Sequence, residues 1–292
     1  MNETYGSLLK TGTRILQEAG VPDARIDAEQ LLLEATGKTR SFLFIHKDGP
    51  CDPECAARYL QHLQRRCRRE PLQYITGSQE FMGLPFRVSP SVLIPRQDTE
   101  ILVERAIQEA EEMGSGQQIL DMCCGSGAIA VSCAYYLPQA EVTACDISED
   151  ALSIAGENAE QNGVADRMTF LKSDLFTCFR EWPHPPVFDL VLSNPPYIPA
   201  AIIPTLQPEV AAHEPGIALD GGEDGLDFYR ILAEEAWQYM RPGALLLLEI
   251  GSDQAGAVSS LLKQDGHYGE TEVIRDLAGL DRVICTRRVT VQ

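Results

Sequence analysis

The distribution of apolar and polar positions divides the chain into a helical N-terminal part and a longer part in which strand and helix patterns alternate. Over residues 1–75, apolar side chains recur at helical spacing, as they do between positions 8 and 16, which predicts a small domain of short amphipathic helices. Residues 76–95 hold two glycines and alternating apolar positions, a pattern that favours a hairpin linker. The remaining residues, 96–292, form a second predicted domain.

From Gln118 onward, apolar runs of strand length alternate with stretches of helical periodicity. This alternation predicts an α/β fold in which a mainly parallel sheet is covered by helices on both faces. Just before it, Asp98 or Thr99 is predicted to cap a helix that runs to about Glu112. Further strands are predicted at 141–146, 168–172, 188–193, 244–250, about 269–275 and 281–287, and further helices at about 149–162 and 225–240.

A glycine turn follows the first of these strands. Gly125 and Gly127 allow backbone conformations and a close ligand approach that a Cβ atom would obstruct. The helix that begins after them presents unpaired N–H groups to an anionic group. The next strand ends in Asp146, about twenty residues further on, where an acid can meet ribose hydroxyls. These residues predict a site for a nucleotide-like ligand.

A second motif, Asn-Pro-Pro-Tyr at residues 194–197, follows an apolar run that indicates a buried strand. Two prolines stiffen the chain and leave carbonyl oxygens free, and the Asn194 side chain adds an acceptor beside them. The Tyr197 ring supplies a flat wall. Ligands of open α/β sheets bind at the carboxyl ends of the strands, where this motif lies. Its acceptor oxygens and flat ring suit a planar NH2 group.

The glycine turn alone does not choose the cofactor, because residues 125–130 also satisfy the Gly-x-Gly-x-x-Ala pattern of dinucleotide oxidoreductases. The full set of strand ends is more specific, since it adds Ser173-Asp174 and the Asn-Pro-Pro-Tyr motif. It resembles the S-adenosylmethionine-dependent methyltransferases that act on an exocyclic or amide nitrogen. Within that group the chain resembles the peptide chain release factor glutamine methyltransferases, over nearly its whole length. The matching segments are residues 71–77, 80–84, 92–100, 194–197, 214–215 and 218–226.

This resemblance implies a Rossmann-like class I methyltransferase sheet of seven strands, the last antiparallel, with a small helical N-terminal domain that helps to hold the substrate. It also implies a reaction, the methylation of the glutamine of the Gly-Gly-Gln motif in class I release factors, with S-adenosylmethionine as the methyl donor. The products are then N5-methylglutamine and S-adenosylhomocysteine. The residues implied to bind the donor are Cys123, Cys124, Gly125, Ser126, Gly127, Asp146, Asp174, Leu175 and Asn194.

The resemblance also assigns the catalytic and substrate-binding residues. The Asn194 side-chain oxygen and the Pro195 carbonyl are implied to accept the N–H bonds of the substrate amide, with Pro196 beside them and Tyr197 packed on the amide plane. Three further residues, Arg96, Thr99 and Glu100, are implied to border the pocket. The loop at residues 221–225 is open to two interpretations, an acidic loop at the mouth of the site or an ordinary turn into a helix.

The chain departs from its relatives at Cys123 and Cys124, where the family usually has Gly and Thr. If the first of these positions needs a positive φ angle, Cys123 is strained. Cys124 as a nucleophile is a competing hypothesis, but no histidine or other base motif accompanies it.

Charge and composition limit the classes of substrate that the protein can bind and the compartment in which we expect it. The net charge is -19, and because residues 1–85 hold eleven basic and eleven acidic residues, all of the excess acid lies in residues 86–292. Binding to bare nucleic acid needs lysine and arginine on the binding face, so we expect a protein substrate and no direct DNA binding. No apolar run approaches the length of a membrane span, and the first five residues show no export signal. We therefore expect a cytoplasmic protein.

Two clusters invite other interpretations. Nine scattered cysteines suit a reducing compartment, and the spacing of Cys51, Cys55 and Cys67, the last two on one predicted helix, is poor for zinc, so we expect no metal. The arginines of residues 65–69 could contact RNA or an acidic protein surface, or form a solvated helix face.

Three alternatives to the release factor hypothesis stay open at this point. An adenine amino-methyltransferase fits the same Asn-Pro-Pro-Tyr chemistry but needs base flipping and a basic channel. A nicotinamide oxidoreductase fits the glycine turn. A binding module without catalysis fits the fold alone.

Overall fold

A computed structural model describes residues 3–180 and 182–290 of the 292-residue chain. The chain forms two compact units: one runs up to Ser78 and includes Gln207–His213, and the other comprises Gln79–Leu206 and the residues from Glu214 onward. The prediction that no export signal is present concerns the first five residues. Two of these, Met1 and Asn2, lie outside the described residues, as do the last two residues of the predicted second domain.

The helices and strands are numbered in chain order. The helices are α1 (Tyr5–Glu18), α2 (Ala24–Thr36), α3 (Arg40–Ile45), α4 (Pro53–Cys67), α5 (Leu72–Thr76), α6 (Gln97–Met113), α7 (Ala128–Tyr136), α8 (Glu149–Gln161), α9 (Thr177–Arg180), α10 (Pro208–His213), α11 (Asp227–Glu235) and α12 (Ala255–Asp265). The strands are β1 (Ser78–Phe81), β2 (Leu84–Arg87), β3 (Gln118–Met122), β4 (Glu141–Asp146), β5 (Met168–Lys172), β6 (Phe188–Ser193), β7 (Met240–Glu249), β8 (Glu272–Arg275) and β9 (Asp281–Arg287).

The smaller unit is helical, as its apolar spacing predicts. Thr4 caps α1 by accepting a hydrogen bond from the Ser7 amide, and Asp52 caps α4 in the same way through the Glu54 amide. The two helices approach closely at Gly12, where an added Cβ would lie 1.9 Å from the Tyr59 hydroxyl oxygen. A small residue at this position therefore lets α1 pack on the buried ring of α4.

The arginines of residues 65–69 are mostly held by ion pairs inside this unit. Arg66 is buried and pairs with Asp27 at 2.7 Å and with Glu209 at 2.9 Å. Arg69 pairs with Glu209 at 2.7 Å, and Arg65 pairs with Glu70. A solvated helix face therefore does not describe the buried Arg66, whereas 41% of the Arg65 side chain is exposed. Contact of the cluster with RNA or with an acidic protein surface stays a prediction.

The larger unit contains a seven-stranded sheet in the order β5-β4-β3-β6-β7-β9-β8. Strands β3 to β7 pair in parallel, and β9 runs antiparallel to both of its neighbours. This confirms the predicted α/β sheet with its antiparallel last strand. Hydrophobic clusters cover both faces, one built around α6, α7 and α8 and the other around α11 and α12.

The connections around β3 determine where a ligand can bind. The chain goes from β3 to β4 on one side and later returns to β6 on the other side, so two connections leave the centre of the sheet in opposite directions. Such a switch point opens a crevice at the carboxyl ends of the strands.

Most predicted elements agree with the structure, and four strands, β4, β5, β6 and β9, do so at both ends. Helix α6 begins at Gln97 with Arg96 at the N-cap position, so the predicted caps Asp98 and Thr99 were wrong. The predicted helix at 225–240 stops at Glu235 and continues as a 3-10 turn. Within the described ranges, no helix is both long and apolar enough to cross a membrane.

Candidate active site

A cavity in the larger unit opens at the carboxyl ends of β3, β4, β5 and β6. It collects residues from the glycine turn, from the acid that ends β4, from the turn after β5 and from the Asn-Pro-Pro-Tyr loop after β6. The sequence-predicted residues on its wall are Arg96, Thr99, Cys123, Cys124, Gly125, Ser126, Asp146, Asp174, Leu175, Asn194 and Pro196.

The turn after β3 requires three residues with positive φ. Cys123 has φ 65°, Gly125 has φ 53° and Gly127 has φ 77°. The strain considered for a cysteine at the first position is therefore present, because a side chain in the left-handed region is crowded by its own carbonyl. Cross-strand bonding holds this conformation in place, since the Cys124 amide donates to the Cys145 carbonyl at 3.0 Å.

The two glycines of this turn have different surroundings. A Cβ added at Gly125 would meet nothing within 4 Å, which fits its place on the cavity wall. A Cβ at Gly127 would lie 3.0 Å from the Ala155 Cβ of α8, and Gly127 is not on the wall. Gly127 thus lets α7 begin close to α8, and its predicted contact with the cofactor stays a prediction.

Asp146 joins the glycine turn to the end of β4. Its Oδ2 accepts from the Gly125 amide at 2.8 Å and its Oδ1 from the Ser148 amide at 2.9 Å. Burial raises the pKa of this carboxyl, and the backbone hydrogen bonds oppose the rise. Since each carboxylate oxygen has two lone pairs, Asp146 keeps acceptor capacity for ribose hydroxyls.

The turn after β5 is held by Ser173. Its hydroxyl accepts from the Cys178 amide at 3.0 Å and donates to the Leu175 carbonyl. Leu175 itself has φ 46°. This arrangement brings Asp174 and Leu175 onto the cavity wall beside Asp146, where an adenine ring is implied to lie.

The thiols at the centre of the site are poorly suited to nucleophilic attack. Burial raises the pKa of the Cys123 thiol, and it raises that of Cys124 well above its ordinary value. A protonated thiol is a weak nucleophile, so the structure counts against Cys124 as a catalytic nucleophile.

Asn194 follows β6 directly and lies on the cavity wall. The Ser193 hydroxyl ties the end of β6 to β3 by donating to the Met122 carbonyl at 2.6 Å. The Asn194 Nδ2 atom donates to the Thr99 hydroxyl oxygen at 3.2 Å. The amide nitrogen is therefore engaged, and among the described residues the amide oxygen has no hydrogen-bond donor.

Pro195 and Tyr197 do not line the cavity. Pro195 is buried, and Tyr197 is partly buried with its carbonyl accepting from the Gln254 Nε2 atom at 3.0 Å. The Tyr197 hydroxyl instead approaches Glu249, which ends β7. The predicted roles of Pro195 as an acceptor and of Tyr197 as a wall against the substrate stay predictions.

The loop at residues 221–225 supports the Asn-Pro-Pro-Tyr loop. A Cβ at Gly221 would lie 2.7 Å from the Tyr197 Cα, and a Cβ at Gly225, which has φ 75°, would lie 2.4 Å from the Tyr197 carbonyl oxygen. The loop then enters α11, and none of its residues lines the cavity. Of the two interpretations, the turn into a helix describes it.

Arg96 and Glu100 have different partners. Arg96 lines the cavity and pairs with the buried carboxylate of Glu214. Burial raises the pKa of Glu214, and Arg96 opposes this rise without cancelling it. Glu100 was implied to border the pocket, but it is not on the wall, and its Oε1 accepts from the Met82 amide at 2.7 Å. Glu100 therefore holds the turn between β1 and β2, and its predicted place was wrong.

Sequence reasoning missed Glu249. This residue is 1% exposed, and burial raises its pKa to about 7 against hydrogen bonds from the Thr99 and Tyr197 hydroxyls. The available signal was an acid at the end of an apolar run, at the same sheet edge as Asn194. Elsewhere, across residues 3–180 and 182–290, no three His, Cys, Asp or Glu side chains are grouped as a metal ion would require.

Comparisons with known proteins identify the relatives of this chain. Residues 7–77 match the model of the PrmC N-terminal domain, and residues 97–203 match that of the methyltransferase small domain. A release factor glutamine methyltransferase of Moorella thermoacetica is 45% identical, over 98% of this chain and 99% of its own length. One of Geobacter sulfurreducens is 44% identical, over 92% of this chain and 91% of its own.

A solved structure shows the same fold. The S-adenosylmethionine-dependent methyltransferase of Agrobacterium tumefaciens covers 73% of this chain and 69% of its own, with 17% identity and a TM-score of 0.50. The sheet, the cavity at its carboxyl edge and the family models together define a class I S-adenosylmethionine-dependent methyltransferase. The dinucleotide oxidoreductase left open by the glycine pattern is thereby set aside. The chain belongs to the family of release factor glutamine methyltransferases.

Proposed function

We propose that this protein methylates the side-chain amide nitrogen of a glutamine, the one in the Gly-Gly-Gln motif of class I peptide chain release factors. The N–CH3 bond forms as the S–CH3 bond of the donor breaks, and the products are N5-methylglutamine, S-adenosylhomocysteine and the proton that the amide nitrogen loses. The observation that carries the proposal is the placement of Asn194, whose amide oxygen is left free on the wall of the cavity that the glycine turn also lines.

The residues of the cavity fit the methyl donor. Gly125 has open space where a Cβ would point, and Asp146 retains acceptor capacity, so this wall can receive a ribose. Asp174 and Leu175 stand beside it for the base. When bound, S-adenosylmethionine supplies a methyl group that is already activated on a sulfonium sulfur.

The task of the protein is to orient a poor nucleophile. The lone pair of an amide nitrogen is delocalised into the carbonyl group, so attack needs a geometry in which this conjugation is reduced. The Asn194 Oδ1 atom is a fixed acceptor for one N–H bond of the substrate, and we assign the second N–H bond to the Pro195 carbonyl. Holding reactants in such an arrangement is worth several kcal/mol of barrier, on the order of 7 or more in favourable cases.

Charge supports a protein substrate over DNA. The excess of acid in residues 86–292 is unsuited to phosphate binding, and the side chains of Arg65, Arg66 and Arg69 are engaged in ion pairs. We assign the helical unit to holding the release factor. Because class I release factors act on translating ribosomes, we place the protein in the cytoplasm.

The decisive experiment incubates the purified protein with S-adenosylmethionine and a recombinant class I release factor. Peptide mass spectrometry should find one added methyl group on the glutamine of the Gly-Gly-Gln motif and none in a release factor whose motif glutamine is changed to alanine. A parallel reaction with adenine-containing DNA tests the amino-methyltransferase alternative. Methylated DNA together with unmodified release factor would replace the proposal with that alternative.

Replacing Asn194 tests the catalytic assignment. Asn194→Ala removes the acceptor that orients the substrate, so kcat should fall by about a hundredfold or more, because misplacement at the reacting centre costs rates of that order. The Kd for S-adenosylmethionine, measured by calorimetry, should change by less than about threefold, since Asp146 and the glycine turn are untouched. Equal losses in kcat and in cofactor affinity would contradict the assignment.

A further inference from the structure

Asn194 is backed by a carboxylate on the neighbouring strand. Ser193 of β6 pairs with Leu248 of β7, so Asn194 and Glu249 are the next residues along the two parallel strands. Glu249 is 1% exposed although it ends a strand at the open edge of the sheet, and Thr99 of α6, which contacts both residues, is 3% exposed. Burying a carboxylate costs free energy unless it is paired or hydrogen-bonded.

The hydrogen bonds of Thr99 have a direction. A threonine hydroxyl has one proton and two lone pairs. When the Thr99 hydroxyl donates its proton to Glu249, only its lone pairs face Asn194. Asn194 must then present its Nδ2 group, as it does at 3.2 Å, and its Oδ1 atom is left for the cavity.

The opposite arrangement would defeat the reaction. If Thr99 no longer donated its proton to Glu249, it could donate that proton to Asn194 instead. The side-chain amide of Asn194 could then rotate by half a turn, so that its oxygen faces Thr99. Asn194 would then present an NH2 group to the NH2 group of the substrate, and two donors facing each other cannot form a hydrogen bond.

We propose that Glu249 is a positioning residue which, through the Thr99 hydroxyl, holds Asn194 with its amide oxygen towards the substrate glutamine. This inference rests on the proposed function, because it gives Asn194 the role of acceptor for the substrate amide. Glu249 does not touch the reacting atoms itself. It acts by setting which end of the Asn194 amide reaches them.

The protonation of Glu249 controls the arrangement. The charged and titratable groups around it are Arg282 of β9, which favours its ionised form, Asp98 of α6, which opposes it, and the phenols of Tyr197 and Tyr229. Burial is the largest influence and raises the pKa to about 7. Once protonated, Glu249 can itself donate to the Thr99 hydroxyl oxygen, and the Thr99 proton is then free to turn towards Asn194. The positioning state is the ionised one, and kcat should therefore fall as the pH drops through about 7.

Four variants test this role with release factor and S-adenosylmethionine. Thr99→Val keeps the shape but removes the hydroxyl, and kcat should fall between about tenfold and a hundredfold, with the Kd for S-adenosylmethionine changed less than about threefold. Thr99→Ser restores the hydroxyl and should recover most of that loss. Glu249→Gln removes the titrating group, so its kcat should be lower than that of the parent at pH 8 and flat between pH 6 and 8. Glu109→Gln is the matched control.

Glu109 is also a buried glutamate of the larger unit, paired with Arg105 and Arg287 outside the cavity. Glu109→Gln should keep the parental kcat and the parental pH profile, which separates the loss of any buried carboxylate from the loss of this one. Circular dichroism of each variant checks the fold.

The outcomes separate the two proposals. If the parent and Glu109→Gln methylate the release factor but Thr99→Val retains the parental kcat, or Glu249→Gln keeps the parental fall below pH 7, the positioning role is wrong and the function stands. If the parent and Glu109→Gln both leave the release factor unmodified, the proposed function fails, and the inference that rests on it falls too.

Discussion

At the scale of single residues, the site combines strain with fixed acceptors. Cys123 lies in the left-handed region with φ 65°, where a non-glycine residue costs about 1–2 kcal/mol. It tolerates this cost because its neighbours fix the turn, with the Cys124 amide bonded to the Cys145 carbonyl and the Gly125 amide to Asp146. The strain is thus confined to the residue that joins β3 to the cavity.

A pair of substitutions isolates this strain. Cys123→Ala and Cys123→Gly both remove the thiol, but only glycine adopts φ 65° without crowding. The glycine variant should therefore unfold at a higher urea concentration than the alanine variant, by about 0.5–1 kcal/mol in free energy once the greater freedom of glycine in the unfolded chain is subtracted. Urea titrations followed by circular dichroism measure the difference. An alanine variant as stable as the glycine variant would show that the turn is not strained.

At the scale of elements, the loop that carries Asn194 depends on a second loop. Ile198 and Asp220 form an isolated parallel bridge, the Gly221 amide donates to the Ile198 carbonyl at 2.9 Å, and Gly225 lies against the Tyr197 carbonyl. The entry into α11 is therefore packed on the backbone just beyond Asn194.

Gly225→Ala should disturb the packing of the 221–225 loop against the Asn-Pro-Pro-Tyr loop. Its Cβ would lie 2.4 Å from the Tyr197 carbonyl oxygen, so the Asn-Pro-Pro-Tyr loop must shift and kcat should fall by about tenfold or more. Gly279→Ala is the control, because Gly279 also has a positive φ, 80°, but a Cβ there meets nothing within 4 Å. The control should lose about 1 kcal/mol of stability at unchanged kcat. Equal kcat values for the two variants, from steady-state assays, would contradict the supporting role.

The elements also show what the sequence could predict. Strands β4, β5, β6 and β9 are short runs rich in apolar residues, and the local pattern predicted both ends of each. Helix α10 was missed. It belongs to the helical unit, where its Glu209 pairs with Arg66, 143 residues away in the sequence. Such a contact has no local signal.

The same limit applies to the site. The glycine turn and Asn194 were found because each motif is contiguous in the chain. Glu249 was not found, because the evidence for its role lies in its position beside Asn194 after the neighbouring strand and in its contact with Thr99. Thr99 belongs to a helix far away in sequence.

At the scale of the whole molecule, charge and buried carboxyls determine how stability depends on pH. Burial raises the pKa of Glu249 to about 7 and that of Asp121 to about 8. In the unfolded chain both groups titrate near their ordinary values, about 4. Between pH 4.5 and 7 the folded protein therefore binds more protons than the unfolded chain, and its stability falls as the pH rises. The net charge of -19 adds self-repulsion in the same direction.

The opposite behaviour is expected in acid. Burial acts to raise the pKa of Glu209, but hydrogen bonds from Arg69 and Arg66 prevail and lower it to about 2. This carboxylate stabilises the folded state above its unfolded pKa, and that contribution is lost as the pH falls towards 2. The two effects together place the maximum of stability near pH 5, on the acid side of neutrality.

Thermal unfolding measured from pH 3 to pH 8 checks this balance. The Tm should be highest near pH 5 and decline towards pH 8, and added salt should raise the Tm more at pH 8 than at pH 5, because salt screens the repulsion of the acidic chain. Glu249→Gln removes one buried titrating group, which by itself costs on the order of 3 kcal/mol at pH 8, so its decline above pH 5 should be shallower than that of the parent. The matched variant Glu109→Gln should decline as the parent does. A Tm that rises from pH 5 to pH 8 would mean that Glu249 and Asp121 are ionised in the folded protein at little cost, and the pH dependence of kcat argued for Glu249 would lose its basis.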